Sequence, residues 1–149
     1  RYVGSLPDKS ERRMGEEGEV EKTFARQIFD LTNVDRVKRN LSPLLWDDQV
    51  AQVAKGHSAD MERNNYFDHI SPFYGDLGQR LSRRGISFLK AGENIAWNYV
   101  DAAEAHHGWM NSSGHRQNII DPDFTHMGVG VAGNYFTQNF IQSPDSLVK

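Results

Sequence analysis

Cysteine is absent from all 149 residues, which excludes a disulfide framework and every thiolate site, nucleophilic or metal-binding. That absence is unusual for a small secreted eukaryotic domain and ordinary for a bacterial one. Long apolar runs are also missing. No stretch nears the ~18 consecutive apolar residues of a spanning helix, so no transmembrane segment is expected in this chain. No secretory signal is present either. The chain opens on Arg1 rather than Met, so upstream sequence is expected, with room for a signal, an anchor or another domain. Charge of one sign is lacking too: 17 Lys and Arg stand against 20 Asp and Glu, a net charge of −3. The signs are interspersed and leave no basic stripe, so nucleic acid is not an expected partner. There is no H-E-x-x-H, no P-loop and no dinucleotide glycine pattern, and the common metalloprotease and nucleotide-binding readings fall away.

What is present supports one globular domain. Hydrophobic residues make up 38% and aromatics 11% of the chain, and a chain of this size buries roughly 70% of its unfolded surface. Residues 1–19 combine Gly, Pro and dense charge with few apolar side chains, the composition of a flexible tail or linker. The domain is expected to occupy residues 20–149.

Val20, Phe24, Ile28, Leu31 and Val34 recur at helical spacing and predict an amphipathic helix ending near Asn40. "LSPLLW" reads as extended, because Pro43 biases Ser42 away from the helical region. A second helix is predicted after an N-cap at Asp47 or Asp48, with Val50, Val53, Ala54, His57 and Met61 on its inner face. "LGQRLSRRG" predicts a short helix stopped by Gly85. "FLKAGENIAWN" predicts a strand with Glu93 near its start. Asp101 and Glu104 have capping-box spacing and open a helix through Trp109. Met127, Val129 and Val131 alternate with small residues, and Gly133-Asn134 before "YFTQNF" signals a hairpin. Helices first and a hairpin last predict an α+β domain.

Several polar residues have bland readings. "GHSAD" lacks the second glycine of a serine-hydrolase elbow and lies within a helical pattern, so Ser58 is not expected to be a nucleophile. His57, on the apolar face, is expected to be a hydrogen-bonded core histidine. Arg116 is expected to brace a carboxylate or a carbonyl, with Asp121 and Asp123 near in sequence. Asn118 is expected to cap backbone in an irregular segment before Pro122. Trp97 and Trp109 are expected in the core. Tyr135 faces cleft or solvent according to strand register.

Six short stretches remain: "HSADM", "YFDHISP", "GENIA", "WMNSSGHRQNII", "FTHMGVGV" and "YFTQNF". In that order, from about Val20 to Ile141, they resemble the CAP superfamily, or SCP domain, of cysteine-rich secretory proteins, antigen 5 and pathogenesis-related proteins. The cysteine-free form is similar to the bacterial branch. The resemblance implies a three-layer α-β-α sandwich with a central cleft, which in the eukaryotic branch holds two His and two Glu, sometimes with zinc. His69 matches the first histidine and Glu93 the glutamate of "GEN". The other two positions depart from the pattern: Ser112 stands where those members have Glu, and Tyr135 where they have His. His115 lies nearby, and a cleft rebuilt around it is inferred.

Two readings of His69, Glu93 and His115 stay open. They could hold Zn2+ or another divalent metal, His69 and His115 as imidazole ligands beside Glu93, with water in the fourth position. Alternatively, Glu93 is a partly buried carboxylate tied by hydrogen bonds to backbone amides and to an imidazole, holding loops together in a structural network. The function expected from the resemblance is a secreted or cell-surface module. It would bind a small ligand, a lipid or a cell-envelope component as a monomer, through a cleft of His69, Glu93, His115, Ser112 and Tyr135. The alternative is a peptidase-like extracellular hydrolase, metal-dependent or activating water directly, with Glu93 as general base helped by His69 and His115. A third reading is a rigid spacer for the upstream region.

Overall fold

A computed structural model describes residues 18–147. The predicted tail lies, through residue 17, outside the described residues, as do the last two residues. Helix α1 (Glu19–Lys38) opens where the Gly18 amide donates to the Glu21 carboxylate at 2.7 Å. Its buried stripe is Glu21, Ala25, Ile28, Thr32 and Arg36, one step round from the predicted face. Phe24 and Leu31 are only half-buried, and Val34 is 50% exposed. The reason is polar satisfaction. Glu21 also accepts from the Gly133 amide, Thr32 accepts from Gln138, and Arg36 donates to the carbonyls of Ser42, Ile119 and Asp121. Paired in this way, polar side chains can occupy a core stripe that apolar periodicity assigns elsewhere.

Leu45–Trp46 form a short strand, β1. Helix α2 (Asp48–Asn64) follows, with Asp47 as N-cap accepting from the amides of Gln49 and Val50. It ends on Asn65 in the left-handed region, a conformation asparagine tolerates. Helix α3 (Leu77–Arg83) has a reciprocal capping box between Asp76 and Gln79. Gly85 at φ 74° terminates it, with Ile86 N–H closing onto the Leu81 carbonyl. Helix α4 (Ala102–Met110) has Asp101 as N-cap, while the Glu104 side chain takes the Val100 amide. Residues 113–119, expected to be irregular around Asn118, form a further short helix, α5 (Ser113–Ile119).

Strands β2 (Lys90–Trp97), β3 (His126–Ala132) and β4 (Tyr135–Gln142) complete a mixed sheet of order β1-β3-β4-β2. Ala132 pairs with Tyr135 across the two-residue Gly133-Asn134 turn, as predicted. One face carries Met127, Val129, Val131, Phe136 and Phe140 against α1 and α4, with Trp109 in that core. On the other face α2 lies directly on β3: a Cβ on Gly128 would collide with the backbone of Ala51, and one on Gly130 with that of Lys55. Val50, Val53, Leu81 and Ile141 form the apolar cluster there. Helices therefore cover both faces of the sheet, the three-layer α+β sandwich expected from the resemblance.

β2 is an outer strand, and its backbone is not left open. The carbonyls of Glu93 and Ile95 accept from Asn118 of α5 and from the Trp109 indole of α4, which removes acceptors that an edge would offer to another chain. Inside, Asn118 donates to Asn94, Asn94 to Gln138, and Gln138 to Thr32. This chain of amides fixes β2, and with it Glu93, between α1 and α5.

Candidate functional site

Glu93 points from β2 toward α3, on the face opposite α4. Arg80 meets it with both arms of the guanidinium, Nη1 to Oε2 at 2.8 Å and Nη2 to Oε1 at 3.0 Å. Both side chains are buried, at 6% and 3% exposure. Sequence reasoning missed Arg80, although a signal existed. Leu77, Arg80 and Leu81 have i, i+3, i+4 spacing, so an arginine shares the inner face of a short helix, where it needs a carboxylate. His69 donates from Nδ1 to Glu93 Oε1 at 2.9 Å, and its side chain stays 52% exposed. The site is thus a buried ion pair carrying a half-exposed imidazole, whose Nε2 has no partner among the described residues.

The loop that carries His69 is tied down from α2. Asp60 accepts from Asn64, from Ser71 at 2.6 Å and from Tyr66. Burial, then the bond to Asp60, pushes the Tyr66 phenol up to about 12. His57, at 1% exposure, donates from Nε2 to the Asp68 carbonyl at 2.7 Å, so it is the core histidine expected. Ser58 is fully buried between the Gly130 carbonyl and Thr137 Oγ1, which leaves it no path to a substrate.

Burial is the largest influence on the Glu93 carboxyl and pushes it up. The hydrogen bonds from His69 and Arg80, with the Arg80 charge, outweigh burial and hold the carboxyl below its ordinary 4.5. The same His69–Glu93 bond raises His69 above 6.5, opposed by burial and by Arg80. His115 moves the other way, held down first by burial and then by the charge of His69. Its Nδ1 is 2.8 Å from Ser112 Oγ. His115 therefore lies within electrostatic reach of His69, on the opposite flank of β2, and makes no hydrogen bond to Glu93.

Tyr135 pairs with Trp97, four residues along β2 from Glu93 and on the same face of the sheet. The two rings stack at 6.1 Å, and Trp97 meets Phe67 at 6.4 Å. Trp97 is 52% exposed, not buried as expected, while Trp109 at 2% is core. The last position of an outer strand has no helix to cover it. Phe67 and Ile70, which flank His69 in sequence, are 46% and 61% exposed. Arg116 braces a carbonyl, that of Met110. Asp121 and Asp123 are both engaged by Lys90 instead.

The donors do not suit a divalent ion. Both Glu93 oxygens are on Arg80, so an incoming cation would have to displace a buried guanidinium whose charge repels it. Among the described residues no three His, Asp or Glu side chains converge as a metal-ligand set.

The sandwich and the ordered motifs agree with a comparison to known families: the profile of CAP, the cysteine-rich secretory protein family, matches residues 29–143. The chain belongs to the CAP family. Here the family's fold stands without a cysteine, on its core and on buried polar pairs. This CAP domain is 54% identical over 123 residues to YlbC of Bacillus subtilis, named an uncharacterized membrane protein; the match covers 83% of this chain and 36% of that protein. It is 44% identical to YkwD of the same species, named an uncharacterized protein, covering 79% of this chain and 47% of that one. A solved extracellular SCP-domain protein of Bacillus anthracis superposes with a TM-score of 0.84 at 48% identity, over 95% of this chain and 45% of that one. An outer surface protein of Borrelia burgdorferi shares the fold, with a TM-score of 0.77 at 23% identity over 87% of this chain and 99% of that one. The chain thus spans between about a third and a half of the curated relatives it matches. Among the described residues no helix is long and apolar enough to cross a membrane.

Proposed function

We propose that this CAP domain is a secreted or surface-displayed monomeric recognition module. It would hold a small ligand or a cell-envelope component at His69 and on the exposed, mutually packed rings of Phe67 and Trp97. One observation carries the reading: His69 projects, half-exposed, from a buried Arg80–Glu93 pair that fixes its tautomer and direction. A rigid polar tip beside exposed aromatic surface is the composition of a ligand site, with few oriented polar groups among apolar ones. His115, Ser112 and Tyr135 supply its outer polar contacts. The hydrolase reading has less support, because a general base must accept a proton near neutrality. A carboxylate held low by a bidentate arginine is a poor base, and its oxygens are already occupied. A spacer would need no exposed imidazole of this kind.

The experiment is a titration with soluble peptidoglycan fragments and with short-chain lipids, followed by Trp97 emission and by the His69 ring resonances. Trp97 is the most exposed indole, so its emission should respond, and Trp97→Phe should remove the response. His69→Ala should weaken binding roughly tenfold, the scale of one hydrogen bond to a charged group. A ligand that bound with neither signal moving would place recognition elsewhere and refute the reading.

A further inference from the structure

On the far side of Arg80 from Glu93, between α2 and α3, lies a concavity of about 590 Å³. Lys55 and Arg63 of α2 and Arg83 and Arg84 at the end of α3 line it. None of the four is in an ion pair with a carboxylate among the described residues. Asp60, the acidic residue of the lining, is already committed to Asn64, Ser71 and Tyr66. Four unneutralised cations thus converge in a chain whose net charge is −3. Arg83 is held in place, donating to the Tyr74 carbonyl at 3.1 Å with its guanidinium 5.8 Å from the Tyr74 ring.

Gly56 also lines the groove. Gly56 sits in the interior of α2, where glycine is destabilising relative to alanine. Gly128 and Gly130 have steric reasons to lack a side chain; a Cβ on Gly56 would meet nothing within 4 Å. Packing does not demand glycine there, and its effect is to keep the groove open beside the cations.

We infer that this groove is an anion site for a ligand carrying clustered phosphate groups. Guanidinium forks match phosphate oxygens two at a time. Three arginines and a lysine around one groove suit several negative charges better than a single carboxylate. The site is separate from His69, sharing only the Arg80 wall, and does not depend on the reading of that cleft.

The test is calorimetry with inorganic tripolyphosphate at low and at physiological salt. One-to-one binding that weakens with salt is expected. Arg83→Ala with Arg84→Ala should lower the affinity at least tenfold, the scale of losing charge-assisted hydrogen bonds. Gly56→Leu, which fills the groove, should lower it similarly with Tm unchanged or raised, while Lys22→Ala on α1 should leave it unchanged. Sedimentation with phosphatidylglycerol vesicles identifies the source. Co-sedimentation lost in Gly56→Leu makes the phosphate a lipid headgroup, whereas tripolyphosphate binding without co-sedimentation makes it a soluble or polymeric phosphate. No tripolyphosphate binding, undiminished binding by Gly56→Leu, or an equal loss in Lys22→Ala would overturn the inference.

Discussion

Replacing Arg80 by methionine should be among the most damaging single changes in this domain. The substitution keeps the length and apolar stem of the side chain but leaves Glu93, at 3% side-chain exposure, with His69 as the remaining hydrogen-bond partner of its carboxylate. Breaking a buried pair from one side costs about 3–5 kcal/mol. For a chain of this size that is roughly 6–20 °C in Tm, at about 2–4 °C per kcal/mol. The pair can also be removed from both sides. Arg80→Met with Glu93→Leu should recover most of the loss, since a buried ion pair replaced by apolar side chains of similar volume is often neutral or stabilising. pH supplies an independent check. In the wild type the Glu93 carboxyl is held below 4.5, so its contribution is present above the unfolded value and is lost as pH falls through the folded one. Without Arg80, burial dominates and raises that carboxyl, so acid protonates it and relieves the unpaired charge. The Tm gap between wild type and Arg80→Met should therefore be widest near pH 7 and narrow toward pH 5. Differential scanning calorimetry of the three proteins measures this. A single-variant cost under about 1 kcal/mol, a double variant no better than the single, or a gap independent of pH would refute the reasoning.

His69 and His115 should titrate apart in NMR, His69 above 6.5 and His115 below it. His69→Gln should raise His115, because it removes a like charge. The His69–Glu93 contribution to stability, fully present below 6.5, should fade as pH rises through the raised His69 value. Zinc titration of the wild type should show no tight one-to-one site; one that disappears in His69→Ala with His115→Ala would reverse that conclusion. Gly130→Ala should cost about 1–3 kcal/mol or more by thermal melting, because its Cβ meets the backbone of Lys55 rather than a movable side chain. A neutral result would mean that α2 can lift off the sheet.

Local chemistry was legible from the residues alone. Asp47 and Asp101 as N-caps, Gly85 as a helix stop and Gly133-Asn134 as a hairpin turn each act over three or four neighbouring residues, and each stands where expected. The ordered motifs pointed to the family and its sandwich, and to His69 beside Glu93. Tertiary structure decided what depends on partners distant in the chain. Thr32 and Arg36 could take the inner stripe of α1 only because Gln138, Ile119 and Asp121 satisfy them. Trp97 lost its place in the core because it ends an outer strand, and α5 formed where an irregular segment was expected, its Asn118 amide bound to Glu93 and Asn94. Above all, Arg80 holds the Glu93 carboxylate in a buried ion pair. Thirteen residues separate Arg80 from Glu93, and only the packing of α3 on the sheet brings the two charges together and away from water.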